Sequence, residues 1–97
     1  MNMHNPPHPG EFIREIYLEP YELSMRQLAV SLDVSPSTLG RLLNGTSSIS
    51  PEMALRLSKA LGRSPESWLA MQNAHDLWVA RGRIPLDRVQ ALQFDAA

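Results

Sequence analysis

The chain has 97 residues and no cysteine. This absence excludes a disulfide framework, a thiolate nucleophile and a cysteine-ligated metal site, and it fits a reducing cytoplasm. No apolar run approaches the length of a membrane-spanning helix. The first ten residues, MNMHNPPHPG, lack the charged and apolar regions of a signal peptide. We therefore expect a soluble, cytoplasmic protein with no membrane partner.

Catalytic and metal-binding patterns are also missing. The sequence contains no glycine-rich phosphate loop and no recognisable pairing of a nucleophile with a base. Its three histidines, His4, His8 and His75, are too scattered for a metal-ligand pattern. The sequence therefore predicts a protein that is not an enzyme and that has neither a cofactor nor a metal.

Alternating apolar and polar residues, which would indicate β-strands, are absent, whereas apolar residues recur at helical spacing. A chain of this length forms one small domain. The sequence predicts an all-α fold of five helices with a flexible N-terminal arm (1–8), a helical domain (9–80) and a C-terminal extension (81–97). The first helix is expected from Pro9 to Leu18, before Pro20. Its inward face is predicted to carry Phe12, Ile13, Ile16 and Tyr17.

Residues 24–44 have the pattern of two short helices joined by a tight turn. Ser24 and Gln27 form a capping box at the start of the first helix. Ser35 caps the second helix, and Pro36 takes its first position, where the missing N–H costs nothing. The predicted buried faces are Leu28, Ala29 and Leu32, then Leu39, Leu42 and Leu43. Two helices linked this closely cross steeply, which is the geometry of a DNA-reading helix-turn-helix.

The polar residues of the second of these helices suggest a function. The small hydroxyls of Ser35, Ser37 and Thr38 allow backbone amides at the helix N-terminus to approach phosphate. Arg41 has two donors suited to a guanine edge, and Asn44 lies at the helix end. A solvated helix in an ordinary helical hairpin has the same spacing, so the pattern alone leaves both interpretations open.

Two further helices are expected to start at serine–proline pairs. Helix four begins at Pro51 and stops before Gly62; helix five begins at Pro65 and reaches Ala80, with Trp68 in the core. The predicted buried face of helix four is Met53, Ala54, Leu57 and Leu61.

The region after helix four carries more apolar residues than one helix face needs. A further turn or two of helix is predicted after Pro85, with Leu86, Val89 and Leu92 on one face. This surplus makes the region the predicted dimer contact, and Trp78 is expected either there or in the core. The residues assigned to the dimer contact are Met71, Leu77, Trp78, Leu86 and Val89.

The net charge of −1 is unevenly distributed. Residues 1–20 hold three glutamates and one arginine, whereas residues 21–63 hold five basic and three acidic side chains. We expect the acidic N-terminal segment to face away from DNA or toward a basic partner. The modest positive balance of the middle implies few phosphate contacts per subunit, so useful affinity requires a dimer.

Three stretches of the chain resemble the HigA (VapI-type) antitoxins, within the lambda-repressor-like (XRE) helix-turn-helix regulators. They are PPHPGEFIREIYLEP, LSMRQLAVSLDVSPSTLGRLLNG and SISPEMALRLSKALGRSPESWLAMQNAHDLW, which together cover most of residues 6–78. The resemblance implies a five-helix dimeric repressor that binds double-stranded operator DNA. It also implies a HigB/RelE-like mRNA-cleaving toxin as partner, which the protein neutralises while repressing the operon that encodes both.

Carried over residue by residue, the resemblance makes Ser24 a phosphate contact, Arg41 a base contact and Asn44 a backbone contact. The chain departs from the family pattern at several positions. Met25 stands where glutamine is usual, the reading helix begins with a short Ser-Pro-Ser, and Asp33 replaces the frequent turn glycine, which is tolerable because aspartate accepts unusual φ. The operator sequence and affinity therefore do not follow from the resemblance.

Glu11, Glu15 and Glu19 follow one another at i, i+4 and i+8 of the first helix. A solvated acidic face is the simplest interpretation; given the resemblance, contact with a basic toxin is the functional one. Because the chain has no long polar tail that would fold onto a toxin, we expect docking on folded surface. Two alternatives remain open: a stand-alone repressor of the same fold, and a protein-interaction module that keeps the helix-turn-helix only as scaffold.

Overall fold

A computed structural model describes residues 5–95 of the chain. In these residues the elements are α1 (Pro9–Ile13), a π-helical segment (Arg14–Leu18), α2 (Met25–Leu32), α3 (Pro36–Leu43), α4 (Pro51–Leu61) and α5 (Pro65–Arg81). The predicted all-α fold of five helices is confirmed, since α1 and the π segment occupy the span of the first predicted helix. None of the described helices is long and apolar enough to cross a membrane.

Serine side chains begin four of the helices by the same local interaction. Ser24, Ser35, Ser50 and Ser64 each accept a hydrogen bond from the backbone N–H three residues later. This bond satisfies one of the free N–H groups at a helix start. Proline follows the last three serines, as predicted. The capping box of α2 is complete, because Gln27 Oε1 also accepts from the Ser24 N–H at 2.8 Å.

The core is formed by the predicted faces of α2, α3 and α4, closed by α1 and α5. Trp68 is fully buried, as predicted, and its indole N–H donates to the Gly62 carbonyl at 2.9 Å. The buried Gln72 of α5 was not predicted. Its side-chain oxygen accepts from the Ile49 N–H at 2.9 Å, which fastens the α3–α4 loop to α5.

The first predicted helix is wound differently from the prediction. Beyond Ile13 it continues as a π-helix, in which hydrogen bonds join residues five apart, such as Glu19 N–H to the Arg14 carbonyl. Leu18, five residues after Ile13, is buried, while Ile16 is exposed. The prediction that Ile16 faces inward was wrong because it assumed α-helical spacing throughout.

Of the N-terminal residues that the structure describes, Pro6 and His8 pack against the rest of the chain, whereas Asn5 and Pro7 are exposed. Pro6 is buried, and the ring nitrogen Nδ1 of His8 caps α1 by accepting from the Gly10 N–H at 2.9 Å. The expectation of a flexible arm over residues 1–8 therefore fails for residues 6–8, because contacts with α5 and the α3–α4 loop hold them. Residues 1–4 of that predicted arm lie outside the described residues.

The predicted helical extension after Pro85 was wrong. Residues 82–95, here called the C-terminal arm, contain turns but no helix, and each of them is exposed. Among the described residues the arm has no surface on which to bury Leu86, Val89 and Leu92. A short isolated helix is marginal in water without such burial.

Candidate nucleic-acid interface

The turn between α2 and α3 is fixed by the backbone conformation of one residue and by a contact from α4. Asp33 adopts the left-handed conformation, with φ of 57°, as its place in the turn required. From α4, the guanidinium of Arg56 donates to the carbonyls of Leu32 at 2.8 Å and Asp33 at 3.2 Å. Carbonyls at a helix C-terminus have no partner within the helix, so Arg56 stabilises the end of α2 and the direction in which the chain enters α3.

The polar residues predicted at the start of α3 are brought together. Ser35 Oγ lies 2.9 Å from Thr38 Oγ1 and 3.2 Å from Ser37 Oγ. Pro36 is exposed beside them at the first helical position. Arg41 follows one turn later and is exposed, with a guanidinium nitrogen 3.5 Å from Thr38 Oγ1. The hydroxyls at the start of α3, where the helix dipole favours an anion, thus share one surface with a cation from its last turn.

Ser24 and Met25 occupy the start of α2, close to α3. Ser24 Oγ accepts from the Gln27 N–H at 3.1 Å, which leaves the hydroxyl proton available to an external acceptor. The sulfur of Met25 lies 3.7 Å from the position that a Cβ on Gly40 would take. Met25 therefore packs against α3, a structural role that the sequence did not indicate.

Asn44 ends α3 and is engaged by a residue that the sequence argument missed. Arg14, from the π segment, donates to Asn44 Oδ1 at 2.9 Å and to the Leu43 carbonyl at 3.3 Å. By charge alone, Arg14 belongs to the acidic N-terminal segment. No local pattern reveals this contact, since about thirty residues separate the partners.

Helix α1 packs directly on α3 through a glycine. A Cβ at Gly10 would overlap the Leu42 carbonyl oxygen and come within 2.9 Å of Leu43 Cα. Only glycine permits this approach of two backbones. The contact fixes α1, and Arg14 beyond it, against the end of α3.

The basic side chains of the middle segment are divided between structural and exposed positions. Arg56 is tied to the end of α2, and Arg63 places its guanidinium over the rings of Phe12 and Trp68, at 5.2 and 5.7 Å from their centroids. Arg26, Arg41 and Lys59 are exposed and take part in neither contact, although Arg63 is exposed as well. Two of the five basic side chains of residues 21–63 are thus engaged by the fold, which leaves three for phosphate.

The glutamates assigned to toxin contact are spread over two kinds of helix. Glu11 lies in α1, Glu15 in the π segment, and Glu19 directly after it, and all three are exposed. Because the π segment has wider turns than an α-helix, residues four apart do not lie directly above one another. The three carboxylates therefore lie on the outer surface of the first helical stretch, but they are not aligned in a single row along it.

The residues assigned to a dimer contact differ in exposure. Leu77 is 51% exposed and Met71 and Trp78 are half-buried on α5, whereas Leu86 and Val89 are exposed on the C-terminal arm. Met71 packs against the core at the same time. The structure thus leaves apolar surface at the end of α5 and along the arm.

Two histidines that are 67 positions apart in the sequence meet in the structure. The rings of His8 and His75 are 5.1 Å apart in an edge-to-face arrangement, and His75 Nδ1 lies 3.0 Å from the Pro6 carbonyl oxygen. Burial, and then the nearby His75, hold the pKa of His8 below its usual 6.5. Within residues 5–95 no group of three potential metal ligands is present, and His4 lies outside that range.

Comparisons with known proteins agree with this geometry. A helix-turn-helix family model matches residues 13–68. The HTH-type transcriptional regulator YddM of Escherichia coli is 40% identical over 95% of this chain and 97% of its own length. The antitoxin HigA-1 of Vibrio cholerae is 39% identical over 76% of this chain and 70% of its own length.

Solved structures of similar proteins share the fold. The structure of the antitoxin GraA matches 93% of this chain and all of its own chain, with a TM-score of 0.86 and 36% identity. Antitoxin HigA of Pseudomonas aeruginosa, solved with the higBA promoter, matches 79% of this chain and 84% of its own, with a TM-score of 0.75 and 32% identity. The chain therefore belongs to the helix-turn-helix family, among the transcriptional regulators and antitoxins of the HigA type.

Proposed function

We propose that this chain is the antitoxin of a toxin–antitoxin pair and the dimeric repressor of the operon that encodes both. The observation that carries the proposal is on α3, where the exposed Ser35 and Ser37 and the half-buried Thr38 present hydroxyls beside the exposed Arg41. Arg41 reads a guanine edge in the major groove, while the hydroxyls bring α3 onto the phosphate backbone. The solved complex of the P. aeruginosa HigA relative with promoter DNA supports this assignment.

Backbone contacts at both ends of the helix-turn-helix fix its position on the duplex. Ser24 has a hydroxyl proton to donate to one phosphate. Asn44 has its amide N–H groups to donate to another, because Arg14 already engages its oxygen. Such contacts set register without reading sequence.

A homodimer provides the second reading helix. One α3 spans only a few base pairs, so specificity requires two copies with half-sites about one helical turn, roughly 34–36 Å, apart. The exposed Leu77 and the apolar residues of the C-terminal arm supply the surface for this association. The antitoxin names of the relatives support a HigB-like toxin as the other partner. We place that partner on the acidic outer surface formed by Glu11, Glu15 and Glu19.

The Arg41→Ala variant tests the DNA assignment. The full chain is titrated onto a fragment spanning its own promoter and onto random DNA of equal length. We expect a loss of about 1–3 kcal/mol at the promoter and a smaller loss on random DNA. Lys59→Ala removes the same charge from an exposed position of α4 and controls for net charge. Unchanged promoter affinity in a folded Arg41→Ala protein would overturn the assignment.

A further inference from the structure

The C-terminal arm carries a row of apolar side chains that the rest of the chain does not cover. They are Ile84, Leu86, Val89, Leu92 and Phe94, and Phe94 is 83% exposed. The radius of gyration, 17.0 Å, exceeds the roughly 12 Å expected of a compact domain of this size. Apolar surface of this extent on a folded chain marks an interaction site.

An apolar groove borders the first half of α5, whereas the arm follows the end of that helix. It encloses about 370 Å³ between the Pro6–Pro7 segment, Phe12 and the first half of α5, where Ala70 and Met71 line it. Arg63 also borders the groove, with its guanidinium over the Phe12 ring. Among residues 5–95 no carboxylate forms an ion pair with Arg63. The groove therefore suits an apolar side chain that is followed by an acidic one.

We propose that the end of the C-terminal arm binds in this groove on a second copy of the chain. Phe94 lies against the apolar walls, and Asp95, the next residue, pairs with Arg63. Within residues 5–95 of one chain, the groove has no apolar side chain to cover it and no carboxylate to pair with Arg63. The arm of the second copy supplies both. This inference rests on the homodimer proposed above.

The direction of α5 favours binding of the arm to the groove of a second copy rather than to the groove of its own chain. The groove borders the first half of α5, whereas the arm leaves the last turn, and α5 with its 17 residues is about 25 Å long. To reach its own groove the arm must reverse and run back along the helix. In a two-fold symmetric dimer with antiparallel α5 helices, the end of one helix lies beside the first half of the other. The arm then continues forward onto the partner's groove.

The absence of cysteine in the natural chain allows a direct test by disulfide trapping. One full-length chain carries Ala70→Cys in the groove and another carries Gln93→Cys beside Phe94. The two are mixed, left to exchange subunits and oxidised mildly. A chain with Ser31→Cys, exposed on α2, replaces the groove variant as control. We expect a disulfide between the two different chains, and little with the control.

Three results would overturn the proposal. The first is a yield of disulfide no greater than with the Ser31→Cys control, while sedimentation still shows a dimer. The homodimer would then stand, but the arm would not be part of its interface. The second is an intrachain disulfide in a monomeric chain that carries both cysteines, which places the arm in its own groove. The third is a monomer at micromolar concentration, which removes the homodimer together with the arm contact.

Charge and size variants measure the strength of the contact in the full chain. Phe94→Ala should raise the dimer dissociation constant by about 100- to 10,000-fold, because the two-fold dimer loses two buried aromatic side chains that contribute about 10- to 100-fold each, whereas Gln90→Ala on the same arm should leave it unchanged. Arg63→Asp should weaken the dimer, and adding Asp95→Arg should restore it. If the charge exchange does not restore association, then Asp95 does not pair with Arg63.

Discussion

Arg14 donates to the side-chain oxygen of Asn44 at 2.9 Å and so joins the first helical stretch to the end of the reading helix. The contact orients the Asn44 amide with its oxygen toward Arg14, which leaves its N–H groups for an external acceptor. A second donation to the Leu43 carbonyl satisfies one of the free carbonyls at the end of α3. In the proposed function, Arg14 thus positions Asn44 for its phosphate contact.

The first prediction is that Arg14 and Asn44 are coupled in DNA binding. Arg14→Ala and Asn44→Ala should each weaken binding to promoter and random DNA alike, because both act on a phosphate contact. The double variant should lose less affinity than the sum of the two single losses. Titrations of all four proteins on both DNAs form the cycle. Strictly additive losses would mean that Arg14 does not position Asn44.

The second prediction concerns the glycine at the contact of α1 with α3. Gly10→Ala should lower the free energy of unfolding by about 1–3 kcal/mol, because the added methyl meets the backbone of Leu42 and Leu43, which yields only at the cost of moving a helix. Urea unfolding followed by circular dichroism measures the loss.

Gly82→Ala is the matched control for this prediction. Gly82 has ordinary helical φ, and a Cβ there would lie 3.7 Å from the Val79 carbonyl oxygen. That substitution should be neutral or stabilise by about 0.4–1 kcal/mol. Equal stability of Gly10→Ala and the natural protein would contradict the tight packing of α1 on α3.

The third prediction is a loss of stability on acidification that depends on His8. Its pKa in the folded protein lies below the usual 6.5, through burial and then His75, while the Ser47 backbone, Asp76 and Glu11 oppose these effects. Between the folded pKa and 6.5 the unfolded chain therefore binds more protons. Stability should be full above about pH 6.5 and fall as the pH drops through the folded pKa, where the protonated ring can no longer accept from Gly10.

The His8→Asn variant isolates this titration. Asparagine is a good N-cap acceptor with no proton to gain, so it keeps α1 capped, and His75 stays in place. Urea unfolding between about pH 8 and pH 5 should show a smaller loss of stability for His8→Asn than for the natural protein. Identical pH dependence in the two proteins would assign the effect to other groups.

The fourth prediction concerns toxin neutralisation. Changing Glu11, Glu15 and Glu19 together to Lys should slow association with a basic toxin and abolish rescue of cell growth, because complementary charge steers association. Binding to promoter DNA should be largely kept. A control triple of Glu22→Lys, Glu66→Lys and Asp87→Lys alters net charge equally at other exposed positions. Full rescue by the first triple would move the toxin contact to another surface.

The sequence alone determined where four of the helices begin and which faces α2, α3 and α4 bury. Each start rests on a serine that bonds to an amide three residues on, and the faces of α2, α3 and α4 rest on apolar residues three or four positions apart. These interactions lie within one or two turns of chain, so they are visible as short-range patterns. The same patterns identified Ser35, Ser37, Thr38 and Arg41, which the structure does bring together.

Only the tertiary structure decided the features that join distant parts of the chain. Arg14 meets Asn44, Gln72 meets Ile49 and His75 meets Pro6 across 30, 23 and 69 residues, and no local spacing indicates such pairs. The π-helical turn that buries Leu18 in place of Ile16 depends likewise on packing of that stretch against the core. The arm after α5 has helical periodicity but no helix, because an apolar face forms structure only where another surface is present to cover it.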